Sequence, residues 1–425
     1  MPLLIRNVRL LDPASNLDAG GSLLVEGGRI ASLGREVPVP DGAETLDGGG
    51  LCLAPGLVDL RVRFGEPGAE HKERLESGVR AAAAGGVTSV AVLPDTEPPI
   101  DDPAMLEFVA ARARRLKSVK VHPYAALTKG LAGKQLAELA LLKEAGAVAF
   151  TDGDRAVADA RVMRRALSYA GALGLLVVQP PEEPSLAEGG VMNEGAVASR
   201  LGLAGVPAAA EVMMIERDLR LVALTGARYH AALVSTAEAV EAIRQAKARG
   251  LPVTCATTPH HLALNELEVE GYRTYAKVRP PLRAEPDRLA VVQGLKDGTV
   301  DAVCSDHTPQ DQDSKRLPFA QAAFGVVGVE TLLPVALKLH HEEGLSLLDV
   351  LRPLTVAPAG LLGLEAGRLA VGAAADLVLF DSDAPWKITE AGLSSLAKNT
   401  AFEGRLVQGR IERTWVDGRT VFKRV

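Results

Sequence analysis

The chain has 425 residues, 47% of them hydrophobic and 24% charged, and a net charge of −6 at pH 7. This size suits a large barrel plus a smaller domain, and the composition predicts a large core without extended disorder. The acidic balance argues against nonspecific nucleic-acid binding, and no signal peptide or membrane-spanning apolar run is evident. Three widely separated cysteines without zinc-ligand spacing are typical of a reduced, cytoplasmic protein.

The amino-terminal region is predicted to be all β. Residues 3–10 and 22–25 are strand-like, and a turn at residues 26–29 predicts a hairpin into residues 30–33. The glycine run at residues 47–50 marks the crossing into the next region. We therefore assign residues 1–54 to a β domain.

The central region alternates short apolar strands with alanine-rich helices. The predicted strands cover residues 57–63, 87–92, 119–122, 147–150, 175–178, 229–234, 253–255 and 300–304. The predicted helices cover residues 73–84, 103–117, 135–145, 157–173, 208–225, 237–249 and 289–295. This repeat predicts an α/β fold, a TIM-like (β/α)8 barrel over residues 55–364. A doubly wound open sheet is the alternative, but the glycine-rich phosphate turn that usually marks it is absent.

The carboxy-terminal region returns to β structure. Residues 414–421 predict a final hairpin. We predict that residues 365–425 pack with residues 1–54 into one small β-sandwich domain beside the barrel.

Several sequence blocks resemble the dihydroorotases of the amidohydrolase superfamily. They include Glu66-Pro67-Gly68, residues 82–88, Phe150-Thr151-Asp152, residues 305–309 and residues 324–328. The resemblance implies a barrel enzyme of pyrimidine biosynthesis, a hydrolase that interconverts carbamoyl aspartate and dihydroorotate with catalytic zinc. In that family the first barrel strand reads Asp-x-His-x-His, and both histidines bind zinc.

The family's ligand histidines are missing from this chain. The first-strand pair corresponds to Arg61 and Arg63, and two further ligand positions correspond to Gln179 and Leu233. The second histidine of the family's Asp-His-Ala-Pro-His motif is Gln310. Since arginine stays protonated and has no free lone pair, it cannot serve as a ligand.

Two carboxylates of the family's site are retained. The resemblance assigns Asp152 and Asp306 to the metal centre, and Asp306 also to catalysis. Two aspartates alone would hold a hard cation only loosely, so we interpret both as vestigial and expect no cofactor. Because the barrel argument aims these side chains at one cavity, we predict that Arg61 and Arg63 form ion pairs with them.

The substrate positions are altered as well. The family's carboxylate-binding arginine corresponds to Gly65, and two asparagines correspond to Asp95 and Arg279. We expect Asp95, Arg279, Arg61 and Arg63 to line the substrate pocket, with His307 helping to shape it. A carboxylate at position 95 would repel an anionic substrate.

Three functions remain open. The resemblance favours an inactive pseudo-dihydroorotase that serves as a structural or regulatory subunit of aspartate transcarbamoylase, in a homo- or hetero-oligomer without nucleic acid or membrane. The alternative is an active dihydroorotase or cyclic amidohydrolase with an unusual or complex-dependent site. A third reading is an anion sensor that uses Arg61, Arg63 and Arg279. The basic run from Arg112 to Lys117 is interpreted as a solvated helix face or a partner surface.

Overall fold

The computed structural model describes residues 2–424, and strands from both chain ends meet in one sheet. The amino-terminal strands are β1 (Leu3–Asp12), β2 (Leu17–Glu26), β3 (Arg29–Gly34), β4 (Glu44–Asp47) and β5 (Cys52–Pro55). The carboxy-terminal strands are β15 (Leu377–Lys387), β16 (Leu406–Val416) and β17 (Arg419–Lys423). Their order is β17-β16-β15-β5-β1-β2-β3, and β4 pairs with β1. The two chain ends therefore form a continuous eight-stranded sheet.

The barrel is built from parallel strands. The intervening strands are β6 (Leu57–Val62), β7 (Val87–Val92), β8 (Lys120–Pro123), β9 (Leu176–Gln179), β10 (Met192–Asn193), β11 (Gly205–Val206), β12 (Arg228–Ala231), β13 (Val253–Thr257) and β14 (Ala302–Val303). Phe150 bridges Ala125 and Val177, so residues 147–150 supply the fourth barrel strand as predicted. His307 pairs with Val62 and closes the ring, whereas β10 and β11 form a separate two-stranded ribbon.

Helices surround the barrel. They are α1 (Leu75–Ala84), α2 (Pro103–Leu116), α3 (Leu139–Glu144), α4 (Ala160–Ala172), α5 (Pro184–Ala187), α6 (Ala196–Leu201), α7 (Ala208–Thr225), α8 (Ala237–Ala248), α9 (Pro259–Ala263), α10 (Glu285–Lys296), α11 (Gln312–Arg316), α12 (Leu332–Ala336), α13 (Lys338–His341), α14 (Leu347–Leu351) and α15 (Val356–Leu362). Within residues 2–424, none of the helices has both the length and the apolar character needed to cross a bilayer.

Most predicted helices are present, and α3 shows why one is shorter than expected. Helix was predicted over residues 135–145, but α3 begins at Leu139. Gln135 accepts a hydrogen bond from the backbone of Lys129, and Leu136 bridges to Thr128. These backbone groups are committed to a turn, so the helix cannot begin earlier.

Strand alternation divides the barrel core into two layers. Leu176 and Val178 point into the barrel, in a buried cluster with Leu60 and Leu233. Val177, between them, packs in the layer between strands and helices. Since successive side chains of a strand face opposite sides, this parity decides which residues reach the barrel mouth.

The sheet domain has its own core and is joined to the barrel by ion pairs. Trp415 is fully buried in the sheet cluster with Leu10 and Leu377. Lys120 of the barrel donates to Asp376 of the sheet domain at 2.8 Å, and its Nζ lies 2.8 Å from Asp417 Oδ1. The two parts of the chain are thus held in a defined orientation.

Truncating Trp415 tests how far the barrel depends on this sheet. We expect Trp415→Ala to lower the stability by about 3–5 kcal/mol, because a large buried side chain is lost and a cavity remains. Urea unfolding at pH 7 measures the change. Phe108→Ala, which truncates an aromatic side chain that is 49% exposed, is the control and should change stability far less. Equal effects of the two substitutions would contradict the assigned packing.

Candidate site at the barrel mouth

Arg61 lies at the centre of a charge network at the mouth. The pairing of β6 with β7 shifts register between Asp59 and Val62, the stretch that contains Arg61. The Arg61 side chain is almost fully buried, and its Nε donates to Asp306 Oδ1 at 2.8 Å. Its Nη2 also pairs with Asp154. Arg61 therefore joins two carboxylates that follow different barrel strands.

Arg63 extends the network toward solvent. Its Nε donates to Asp95 Oδ2 at 2.9 Å, and its Nη1 donates to Thr308 Oγ1 at 2.8 Å. Its Nη2 lies 2.7 Å from Asp154 Oδ1. Asp154 therefore lies between the two guanidiniums, and each arginine has at least two carboxylate neighbours.

The predicted pairing is confirmed for Asp306 and wrong for Asp152. Asp152 Oδ1 accepts hydrogen bonds from the backbone N–H groups of Leu127 and Thr128, at 3.0 and 2.8 Å, and Asp152 also bonds the Thr128 hydroxyl. Asp154, two residues on, faces the arginines instead. Gly153 between them has φ +71°, a left-handed turn, and a Cβ there would lie 2.7 Å from Asp95 Oδ2. Asp154 was missed because the resemblance assigned the carboxylate to Asp152, two positions earlier.

The carboxylates of the network have shifted pKa values. Burial raises the pKa of Asp306, although Arg61 and Arg63 act in the opposite direction. Burial also acts to raise the pKa of Asp154, but Arg63 and Arg61 outweigh it and lower that pKa. For both arginines burial is outweighed by the nearby carboxylates, chiefly Asp154, so their pKa values rise and they stay charged.

Gln179 does not reach the mouth, which corrects its assignment to the ligand set. Its side-chain oxygen accepts from Val157 N at 3.2 Å, and its amide nitrogen lies 3.3 Å from Asp218 Oδ2 of α7. The next residue, Pro180, lines a small cavity at the mouth together with Leu233 and Arg61. The alternation along β9 carries this information: Leu176 and Val178 face inward, so position 180 follows on that side.

His307 is also placed differently from the prediction. It is fully buried, its Nδ1 accepts from Gly328 N at 3.2 Å, and its Nε2 lies 3.7 Å from Glu73 Oε2. It contributes its backbone to barrel closure and does not line either cavity at the mouth. The role proposed for it in the substrate pocket is therefore wrong.

Arg279 faces the mouth, but its charge is matched. Its Nη1 lies 3.5 Å from Glu182 Oε1, and its guanidinium sits 4.7 Å from the ring centre of Phe324. A cavity of about 610 Å³ adjoins the network and is lined by Arg63, Asp95 and Phe324, among others. Because Arg61, Arg63 and Arg279 each have a carboxylate partner, they do not form a free anion site.

The residues at the mouth do not fit the zinc centre that the family implies. Two permanent cations occupy the positions of two ligands, and Pro180 and Leu233 offer no lone pair for a metal. Across residues 2–424 no group of three histidine, cysteine or acidic side chains is arranged to hold a metal ion. The carboxylates Asp306, Asp154 and Asp95 are bonded to guanidiniums instead.

The architecture is that of the amidohydrolases. The chain matches the Amidohydrolase family over residues 188–421 and the Dihydro-orotase-like family over residues 50–239. It superimposes on L-hydantoinase (dihydropyrimidinase) from Arthrobacter aurescens with a TM-score of 0.88 and 27% identity, covering 99% of this chain and 96% of that one.

Sequence identity to named relatives narrows the family from the amidohydrolases as a whole to the dihydroorotases. The chain is 45% identical to a dihydroorotase of Pelobacter propionicus, over 100% of both chains. It is 44% identical to a dihydroorotase of Anaplasma phagocytophilum, over 98% of this chain and 94% of that protein. The chain belongs to the dihydroorotase family.

Removing the Arg61 cation tests the buried ion pairs. We expect Arg61→Met to destabilise the protein by about 3–5 kcal/mol, because Asp306 is left buried without its main partner. Urea unfolding at pH 7 measures this. Arg244→Met, which removes a surface pair with Glu241, is the control and should cost under about 1 kcal/mol. Adding Asp306→Asn to Arg61→Met should recover part of the loss; no recovery would contradict the pairing.

The raised pKa of Asp306 predicts a pH dependence. The carboxyl group of Asp306 keeps its proton to a higher pH in the folded state than in the unfolded chain, where aspartates have a pKa of about 4. Stability contributed by the protonated form is therefore lost as pH rises from about 4 toward 7. We expect Asp306→Asn to become more favourable relative to the wild type over this range, as measured by thermal unfolding. A trend of opposite sign for Asp306→Asn would refute the shift.

Proposed function

We propose that this chain is a catalytically inactive dihydroorotase homologue that acts as a structural or regulatory subunit with aspartate transcarbamoylase in pyrimidine biosynthesis. The observation that carries the proposal is the buried pair between Arg61 and Asp306, at 2.8 Å. It puts a guanidinium at a position where the family has a zinc-binding imidazole. We place the protein in the cytoplasm as part of the same proposal, in keeping with its three buried, free cysteines.

The loss of activity follows from charge and coordination. Dihydroorotases with the family's histidine ligands rely on metal-bound water. Catalytic zinc lowers the pKa of that water to about 7. Arg61 and Arg63 repel a divalent cation and already bind the carboxylates it would need. The residues that line the two cavities at the mouth include no imidazole that could hold such a metal.

The substrate side supports the same conclusion. Asp95 presents a carboxylate to the cavity, and Arg63 is held against it at 2.9 Å. Gly65 supplies no cation for a substrate carboxylate. An anionic substrate would therefore meet a mouth whose arginines are already paired and where the carboxylate of Asp154 is 41% exposed.

An active enzyme remains the second candidate because of a specific observation. The chain aligns over its whole length with proteins named dihydroorotase, at 44–45% identity. Asp306 is retained, and its raised pKa is a property that general bases share. Activity would then require a rearrangement at the mouth, for example in a complex, that separates Arg61 from Asp306.

Metal content and turnover distinguish the two candidates. We expect the purified protein to bind far less than one zinc ion per chain and to show no interconversion of carbamoyl aspartate and dihydroorotate. The matched variant replaces Arg61, Arg63, Pro180 and Leu233 with histidine, and it should bind more zinc than the wild type in elemental analysis. Stoichiometric zinc together with turnover by the wild type would overturn the proposal.

The subunit role needs its own experiment. Aspartate transcarbamoylase from the same cell should co-migrate with this chain in size-exclusion chromatography, and its activity or stability should change when the chain is added. Separate migration of the two proteins, with identical transcarbamoylase activity alone and mixed, would contradict this part of the proposal.

A further inference from the structure

A stripe of arginines runs along the outer face of α4. Arg161, Arg164 and Arg165 are exposed, and with Ser168 they follow the i, i+3, i+4, i+7 spacing of one helix face. Val162, Met163 and Leu167 cover the opposite, buried face. The helix therefore presents three guanidiniums side by side within about one turn.

These three arginines differ from arginines on other helices of the barrel. Arg220 of α7, Arg244 of α8 and Arg288 of α10 each pair with a glutamate three or four residues before them. Within residues 2–424 no ion pair or side-chain hydrogen bond joins Arg161, Arg164 or Arg165 to another group. The nearby Asp159 accepts from the backbone N–H groups of Arg161 and Val162 as the helix cap. The positive charge of the stripe is therefore uncompensated.

The net charge of the segment that contains the stripe, residues 103–172, also differs from that of the rest of the chain. Residues 103–172 hold twelve lysines and arginines against six aspartates and glutamates. The rest of the chain holds the other 35 basic and 47 acidic residues of the totals of 47 and 53. A region of net charge +6 thus lies on a protein whose remainder has a net charge of −12.

A shallow groove accompanies the stripe and indicates what kind of partner fits. Leu136 and Tyr169 line it beside the three arginines, so it offers apolar as well as cationic contacts. It is an open surface with no buried polar side chain aimed into it, unlike a site for a small anion. The stripe is short, about 12 Å from Arg161 to Tyr169 at the helical rise, and the chain as a whole is acidic, which disfavours nucleic acid.

We propose that the arginine stripe of α4 is a docking surface for an acidic segment of a partner protein. Carboxylates spaced along a helix or strand would pair with the guanidiniums, and an apolar side chain would contact Leu136 and Tyr169. Arginine suits this role because its planar fork binds carboxylates bidentately. This inference rests on the proposed subunit role, since it assigns the surface through which aspartate transcarbamoylase is held.

Charge reversal tests the surface in the full-length protein. The variant Arg161→Glu/Arg164→Glu/Arg165→Glu is compared with Arg80→Glu/Arg220→Glu/Arg249→Glu, which changes the net charge equally at exposed positions on α1, on α7 and at the end of α8. Binding of aspartate transcarbamoylase and of a labelled decaglutamate peptide is measured by calorimetry and fluorescence anisotropy. We expect the stripe variant to weaken both by about tenfold or more and the control by less than about twofold. Added salt should weaken wild-type binding, because exposed charges are screened.

The outcomes separate this proposal from the subunit role. If the transcarbamoylase does not bind the wild type, the subunit role fails; peptide binding lost only in the stripe variant would still support an acidic partner. If the transcarbamoylase binds the wild type and the stripe variant equally, the docking surface is refuted and the subunit role stands. Self-association of the wild type that is lost in the stripe variant would assign the surface to a second copy and refute the partner proposal. A stripe variant that fails to fold is replaced by the triple glutamine variant, with the same expected direction.

Discussion

The barrel mouth depends on one constraint: a buried guanidinium must be surrounded by carboxylates. Arg61 and Arg63 cannot lose their charge, so leaving them unpaired at the end of a barrel would cost several kcal/mol. Asp306, Asp154 and Asp95 meet this requirement from three different loops, with Asp306 bonded at 2.8 Å. The same carboxylates are thereby withdrawn from metal binding. Loss of the metal centre and stability of the barrel are two consequences of one network.

The sequence was sufficient to predict the architecture. Alternating strands and helices predicted the barrel, and β-rich ends predicted a domain shared by both termini. The resemblance to dihydroorotases indicated that Arg61, Arg63 and Leu233 replace ligand histidines. The chemistry of these three side chains then excludes them as metal ligands. Their pairing with Asp306 followed from the need to balance charge in one cavity.

Other parts of the site could not be read from the sequence. Which of two nearby aspartates contacts the arginines depends on the left-handed turn at Gly153, which places Asp154 against Arg61 and Arg63 and turns Asp152 to Thr128. Gln179 and Pro180 are adjacent in the chain, and successive side chains of a strand face opposite sides of the barrel wall. An alignment that is wrong by one residue therefore assigns the ligand position to Gln179, on the outer side, and not to Pro180 at the mouth. His307 adjoins Asp306 in sequence but packs behind the strand against Glu73. Each error concerns side-chain direction at a turn or strand end, which composition and spacing do not specify.

The central claim is that guanidinium–carboxylate pairs fill the place of a metal centre. The most direct measurement is anomalous diffraction at the zinc absorption edge from crystals grown with excess zinc. The account predicts no anomalous peak at the barrel mouth, with Arg61 bonded to Asp306. An ordered zinc ion bound by Asp154 and Asp306, with both arginines turned away, would contradict it.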